Sequence, residues 1–332
     1  MGSFFGLDIG SSSVKVLQVE KVQDGLKIKH FASAVIDADD HVEVIKKTIK
    51  ESGIRPTTEV NVALPESDVY TRIVTTPLLS STELASSIQY EAEQYVPVPL
   101  TEVELFHQVL SKSEDADVDN HMKVLLIAVT KERLGKLTNL LDEVGLIPKS
   151  LETELFSLMR VFSDTSKTQL LVSFGHRTTD MLILDKGLPM FLHSMPIGAV
   201  TMTNSLVNEL KLPADQAEQY KVTYGIRQDL LEGKVASVLL PLVDKVVEQI
   251  EKSFVYLKQQ GLNKLPDQMV MVGGGSLLPG LGSYLVKKIN IEVLVGNPTL
   301  KFIKDENFTK FITKENSPEL ATVTGLALKE LV

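Results

Sequence analysis

The residues of this chain best suited to chemistry are Asp8, Gly10, Ser11, Ser12 and Ser13, followed by Lys15. The apolar run Phe4–Ile9 has strand length, so it would deliver the Asp8 carboxylate at its C-terminal end. The small-residue turn that follows offers free backbone N–H groups and hydroxyls, a nest for phosphate oxygens. Asp8 can hold a hydrated Mg²⁺ beside such a nest, and Lys15, on the next strand, brings an ammonium to the same phosphate. An ordinary hairpin shares this pattern, so the turn alone decides nothing. Three further motifs bear on it. Gly175-His176-Arg177-Thr178 repeats the layout 165 residues later, and two such hairpins facing each other would clamp a phosphate tail. The apolar run 269–272 ends in Gly273-Gly274-Gly275, bare backbone that a flat base can approach. Glu218 and Lys221 lie three apart on one helical face, placed for ribose hydroxyls and a base edge; a solvated salt bridge is the alternative.

Residue types exclude other chemistries. The chain has no cysteine, which removes disulfides, iron–sulfur clusters, thiolate zinc sites and cysteine nucleophiles. No Gly-x-x-x-x-Gly-Lys-Ser/Thr, His-Glu-x-x-His or Gly-x-Ser-x-Gly occurs, so a P-loop, a helical zinc pair and a nucleophile elbow are absent. Lys plus Arg number 34 against 43 Asp plus Glu, a net charge of −9, which argues against a general nucleic-acid binder. No run approaches the ~18 apolar residues of a membrane span, and the N-terminus lacks the features of a signal peptide. A soluble, cytoplasmic protein is expected. The acidic stretch 114–119 reads as a solvated loop, because an EF-hand needs a central Gly and a terminal Glu.

Positioning those motifs requires two lobes. The length, 332 residues, suggests about two domains. Strand–turn–strand–turn–strand patterning opens the chain and recurs over 169–192, a repeat of half the chain rather than a solenoid. Helices lie between. Val42, Ile45 and Ile49 have helical spacing before Gly53. Ser80 and Glu83 form a capping box, opening a helix that puts Leu84, Ile88 and Tyr95 on one face and ends before Pro97. Leu134, Leu137, Leu141 and Val144 mark another helix, and a third is expected over about 152–162. A long helix carries Leu239, Val243, Val246, Val247, Ile250, Phe254 and Leu257, with Pro241 early in it or kinking it.

The order of these motifs resembles the actin-like ATPase superfamily, which includes actin, the heat-shock chaperone ATPases, sugar kinases and bacterial FtsA. Within it, Phe5-Gly6-Leu7-Asp8-Ile9-Gly10-Ser11-Ser12-Ser13-Val14-Lys15 resembles the opening of PilM-type type IV pilus assembly proteins. Glu91-Ala92-Glu93-Gln94-Tyr95-Val96-Pro97-Val98-Pro99-Leu100 is similar to their most distinctive internal stretch. Residues 197–203 and 272–281 match in kind and order. The resemblance covers essentially the whole chain. It implies an α/β, two-lobed, actin-like (duplicated ribonuclease H-like) fold with mixed sheets and an extra subdomain. The implied division is 1–77 with 148–167 as subdomain 1A, 78–147 as 1C, 168–200 with 266–332 as 2A, and 201–265 as 2B.

The resemblance also implies ATP and Mg²⁺ between the lobes. Asp8 would hold the metal through water. Gly10, Ser11, Ser12, Ser13, Lys15, Gly175, Thr178, Gly198, Glu218, Lys221, Gly273, Gly274, Gly275 and Leu277 would hold the nucleotide. It implies an adaptor at the cytoplasmic face of the inner membrane, binding the N-terminal cytoplasmic peptide of a PilN-like bitopic membrane protein. The peptide groove is expected around Tyr70, Tyr95 and Pro97. Pilus motor ATPases and a second copy of the chain are further implied partners.

One departure stands out. The second phosphate loop of relatives starts Asp-x-Gly, whereas this chain has Ser173-Phe174-Gly175. Loss of a charge that organises metal and water predicts nucleotide binding with slow or absent hydrolysis. The position at which relatives carry a water-orienting Gln or Glu falls at Glu154, with Glu152 second. An FtsA-type filament or division adaptor is the main alternative, disfavoured because 319–332 reads as a final domain helix with no linker beyond. A sugar-kinase-like enzyme is disfavoured by Ser173, and a scaffold that binds no nucleotide by the intact Asp8 and Gly273 loops.

Overall fold

Strand alternation and turn residues at the start of each half of the chain build two sheets of the same design. The computed structural model describes residues 4–36, 40–55, 58–113, 121–262, 264–313 and 316–331; the acidic stretch 114–119 lies outside them. The first half runs β1 (Phe4–Ile9), β2 (Ser13–Val22), β3 (Gly25–Val35), α1 (His41–Ser52), β4 (Glu59–Leu64), β5 (Val69–Pro77), α2 (Ser81–Tyr95), β6 (Val103–Ser113), β7 (His121–Thr130), α3 (Lys131–Val144), β8 (Ile147–Thr153) and α4 (Glu154–Phe162). The second half runs β9 (Thr168–Phe174), β10 (Thr179–Asp185), β11 (Leu188–Met195), α5 (Ala199–Leu210), α6 (Ala214–Tyr224), α7 (Lys234–Gln259), β12 (Gln268–Val272), α8 (Leu281–Ile289), β13 (Glu292–Val295), α9 (Glu306–Phe311) and α10 (Ala321–Leu328).

Among the described residues one five-stranded sheet has the order β3-β2-β1-β4-β8 and the other β11-β10-β9-β12-β13. In both, the three consecutive strands are antiparallel and the last two join in parallel. The expected duplication is therefore present strand for strand. The turns match too: Gly10 N–H donates to Ser13 O at 3.0 Å and Gly175 N–H to Thr178 O at 2.9 Å.

Two helices bind the sheets together. Helix α4 packs Leu155 and Leu158 against Leu171, Leu182 and Val270 of the second sheet. Helix α10 is apolar on every side and almost wholly buried, as a helix sandwiched between layers must be. It presses so closely on β1 that a Cβ at Gly6 would lie 2.7 Å from Ala327 N, and one at Gly325 would lie 2.1 Å from Ser157 O of α4. Asn61 Nδ2 and Arg160 Nη1 hold it by donating to the carbonyls of Leu326 and Gly325, at 3.1 and 2.8 Å.

A third, antiparallel sheet, β5-β7-β6, is inserted in the first half. Its hydrogen bonding crosses the boundary expected at 77/78, since β5 pairs with β7. Helix α3 packs Leu137 and Leu141 with Ile45 on the first sheet. The capping box at Ser80 and Glu83 is formed. The buried face of α2 is Leu84, Ile88 and Ala92, not Leu84, Ile88 and Tyr95. Tyr95 shares the angular direction but ends the helix, where its ring meets Arg72 of the edge strand β5, 3.4 Å from guanidinium carbon to ring centre. Pro241 lies inside α7, in the N-terminal part of the helix, as expected. Helix α4 starts at Glu154, not at 152, because β4 keeps Glu152 and Thr153 in register as strand. Among the described residues no helix is long and apolar enough to cross a membrane.

Candidate functional site

The ends of β1, β10 and α4 converge on one cleft. Asp8, next to the last residue of β1, is buried, 6% exposed. Register places Lys15 of β2 opposite it, with Nζ 3.9 Å from Oδ2 and donating to Ser13 Oγ at 2.7 Å. Burial pushes the Asp8 carboxyl above its usual range, and Lys15 opposes the shift. Glu154 opens α4 and faces the same space. Its carboxyl is pushed well up by burial, then by Asp8, Asp180 and Glu66, with Lys15 pulling the other way. The first turn of α4 thus lies between a carboxylate of each lobe.

Two of these carboxylates were not apparent in the sequence. Asp180 sits on β10 directly across from Ser173. The carboxylate missing at 173 has a neighbour one strand over, 2% exposed. Thr178 Oγ1 donates to its Oδ2 at 2.8 Å, and Ser194 Oγ donates to its Oδ1. Burial raises it and the two hydroxyls lower it. The hairpin register after Gly175 would have paired 180 with 173, so the signal was there. Glu66 follows β4 in a single 3₁₀ turn and accepts the N–H of Leu155 at 3.1 Å. Burial pushes it up to about 7, against the Thr153 hydroxyl and the Leu155 N–H, with Asp180 adding to the rise. No local pattern marks Glu66; tertiary packing alone buries it.

Glu152 does not belong to this cleft. Arg160 donates to its two oxygens at 2.7 and 2.8 Å, Ser157 at 2.6 Å, and Lys329 pairs with it at 2.8 Å. Burial would raise it, but these partners hold it below the usual range. It is a structural knot joining β8, α4 and the chain after α10.

The remaining motifs are placed as follows. Gly198 precedes α5, whose first N–H groups, Ala199 and Val200, donate to the carbonyls of Gly175 and His176 at 3.0 and 2.9 Å. A Cβ at Gly198 would lie 2.5 Å from His176 O, so this glycine lets the second loop sit on the helix. Lys221 is buried and donates to Glu218 Oε2, Thr203 Oγ1 and Ala199 O at 2.6, 3.0 and 3.3 Å. Its three N–H donors are thereby used inside the fold. Glu218 is half exposed and keeps an open edge. The salt-bridge alternative holds geometrically, though with Lys221 buried rather than solvated. Gly273 and Gly275 abut Phe174, with added Cβ atoms 2.5 and 2.8 Å from its carbonyl O and its Cβ, and Gly274 abuts Glu319. Close packing on β9 therefore requires these glycines without any base. Leu277 is exposed in the turn that follows.

Crowded carboxylates beside one ammonium leave the cleft short of positive charge. Hard oxygen donors of this kind fit a hydrated Mg²⁺. Among the described residues no group of three ligating side chains forms a closed cage, so Asp8 and Asp180 would hold such an ion with help from water and phosphate oxygens. Beside the cleft, a cavity of about 450 Å³ opens between β5, the end of α2, β11 and α7. Tyr70 and Tyr95 line it, with Arg72, Phe191, His193 and Tyr256; Pro97 does not.

Comparison with known proteins follows the same lines. A family model described as "Type IV pilus assembly protein PilM" matches residues 6–331. A solved structure of the PilM-PilN type IV pilus biogenesis complex superposes with a TM-score of 0.85 at 22% identity, covering 100% of this chain and 99% of that one. MreB5 of Spiroplasma citri bound to AMPPNP gives 0.55 at 12% identity, covering 98% and 95%. The cell division protein FtsA of Borreliella burgdorferi is 26% identical over 203 residues, 53% of this chain and 47% of that relative. The chain thus spans about half the length of that relative. The fold is that of the actin-like ATPases.

Proposed function

The chain belongs to the PilM family of type IV pilus assembly proteins, and on that premise we propose that it is an ATP-binding adaptor with slow or absent hydrolysis. Its partner in this reading is the N-terminal cytoplasmic peptide of a PilN-like membrane protein, which recruits it to the inner membrane. The observation that carries the nucleotide half is the pair of matched loops, Gly10–Ser13 and Gly175–Thr178, flanking the carboxylates of Asp8, Asp180 and Glu154. Loop N–H groups and hydroxyls would bind phosphate oxygens, Lys15 would pair with them, and Glu218 would meet the ribose. Mg²⁺, when bound, would neutralise phosphate charge next to Asp8 and Asp180.

Slow hydrolysis follows from the same residues. Burial, with the carboxylates of Asp8, Asp180 and Glu66, pushes the Glu154 carboxyl well up. Ser173 brings no charge, and both oxygens of Asp180 already accept from hydroxyls. The cavity lined by Tyr70 and Tyr95 supports a docking place for an extended peptide. An FtsA-like filament or division role is the second reading, favoured by the similarity to FtsA relatives, one of them aligned over 98% of this chain.

Asp8→Ala tests the cleft. Calorimetric titration is expected to show Mg-ATP affinity reduced about tenfold or more, a loss of at least ~1.4 kcal/mol. Unchanged affinity would remove the cleft assignment.

A further inference from the structure

The two phosphate loops share a backbone but not a placing of charge. An offset of 165 residues carries Gly10–Ser13 onto Gly175–Thr178, and one hydrogen bond closes each loop in the same way. The same offset carries Asp8 onto Ser173 and Lys15 onto Asp180, and each pair faces across its hairpin. The first hairpin therefore has a carboxylate on its incoming strand and an ammonium on its outgoing one. The second has no charge on the incoming strand and a carboxylate on the outgoing one. Its cation lies in the loop itself, where Arg177 takes the place of Ser12, beside His176 in the place of Ser11.

The other positive groups around the cleft are committed to partners. Lys15 pairs with Asp8 and donates to Ser13. Lys221 is buried against Glu218, Thr203 and the Ala199 carbonyl. The start of α5, where a helix carries partial positive charge, is taken up by the Gly175 and His176 carbonyls. Arg177 is exposed, and among the described residues its guanidinium makes no hydrogen bond or ion pair. His176 adds no charge at neutral pH: desolvation, then Lys221 and Arg177, push its pKa below the ordinary range against the pull of Glu218. That one ring feels Arg177, Lys221 and Glu218 together, which sets the guanidinium charge beside the α6 side of the cleft. Asp8, Asp180 and Glu154 already crowd the cleft with carboxyl groups, so an anionic phosphate chain entering it requires an uncommitted cation.

We infer that Arg177 is the second lobe's ionic contact to the phosphate chain of a bound nucleotide, the counterpart of Lys15 in the first lobe. This rests on the nucleotide-binding reading above and adds to it a residue that determines affinity for the phosphates. The planar fork of a guanidinium matches two oxygens of one phosphate. Because Arg177 has no partner to give up, the contact forms without breaking an ion pair.

The test titrates the full chain calorimetrically with Mg-ATP and, separately, with adenosine, which has the base and ribose but no phosphate. Arg177→Ala is expected to raise the Kd for Mg-ATP about tenfold, as the loss of one charge-assisted contact does, and to leave the Kd for adenosine within about twofold. Arg177→Lys, which keeps the charge and loses the fork, is expected to stay within about threefold of the wild type for Mg-ATP. An unchanged Mg-ATP affinity in Arg177→Ala would overturn the contact and leave the nucleotide-binding reading standing. Equal weakening of Mg-ATP and adenosine would show a structural effect and overturn it too, as would Arg177→Lys binding no better than Arg177→Ala. Failure of the wild type to bind Mg-ATP would overturn the nucleotide-binding reading and the contact together.

Discussion

Glu66 shows how burial can reset the titration of one side chain beside this cleft. Its folded-state carboxyl titrates at about 7 against an ordinary 4.5. Between those values the folded chain keeps a proton that the unfolded chain releases, so stability falls as pH rises through the window. The full difference is about 3 kcal/mol. Glu66→Gln keeps an acceptor for the Leu155 N–H and removes the titration. Thermal midpoints of the two proteins should coincide near pH 4.5 and diverge by pH 8, the variant being the more stable. A gap that stays constant with pH would refute the burial of this carboxyl. Asp8, Asp180 and Glu154 shift in the same direction, so only the difference between the proteins isolates Glu66. At this scale the sequence was partly legible. Asp8 and Lys15 stood out because a strand end and a glycine turn are local patterns, whereas Glu154 was named through the family resemblance. Glu66 is set by a contact 89 residues away, which no local pattern encodes, and Glu152 is drawn off by Arg160 and Ser157 together with the distant Lys329.

Helix α10 is the element on which the lobes depend, and two glycines measure its packing. A Cβ at Gly325 would strike the backbone of Ser157, which cannot yield as a flexible side chain would. Gly325→Ala should therefore destabilise by about 3 kcal/mol, the upper part of the overpacking range. Gly135, inside α3, has nothing within 4 Å of an added Cβ. Gly135→Ala should stabilise by up to about 1 kcal/mol, the ordinary helix preference for Ala. Urea midpoints of the two variants should move in opposite directions; movement in the same direction would contradict the packing of α10. Elements were the most legible scale. The capping box at Ser80, the glycine stop at Gly145 and the paired hairpins follow from local backbone chemistry and are all formed. The start of α4 was misplaced because pairing with β4 extends β8 through Thr153, and such pairing is a tertiary decision.

For the whole molecule, the duplicated hairpin announced two lobes, and the structure repeats the sheet order and strand sense in both. What the chain pattern did not reveal is how the lobes meet. The cavity between β5 and β11 arises where an inserted sheet approaches the edge of the second lobe's sheet, and neither strand carries a mark of the other. That meeting places a recess of about 450 Å³ beside the cleft of Asp8, Asp180 and Glu154. In the proposed function the cleft binds Mg-ATP and hydrolyses it slowly or not at all. Its most direct test is calorimetric titration of the purified chain with Mg-ATP, followed by a phosphate-release assay on the same sample. Saturable binding at one site per chain, with phosphate released far more slowly than the ~1 s⁻¹ at the lower end of typical enzymes, is the expected result. Absence of binding heat at millimolar Mg-ATP, or brisk multiple turnover, would contradict it.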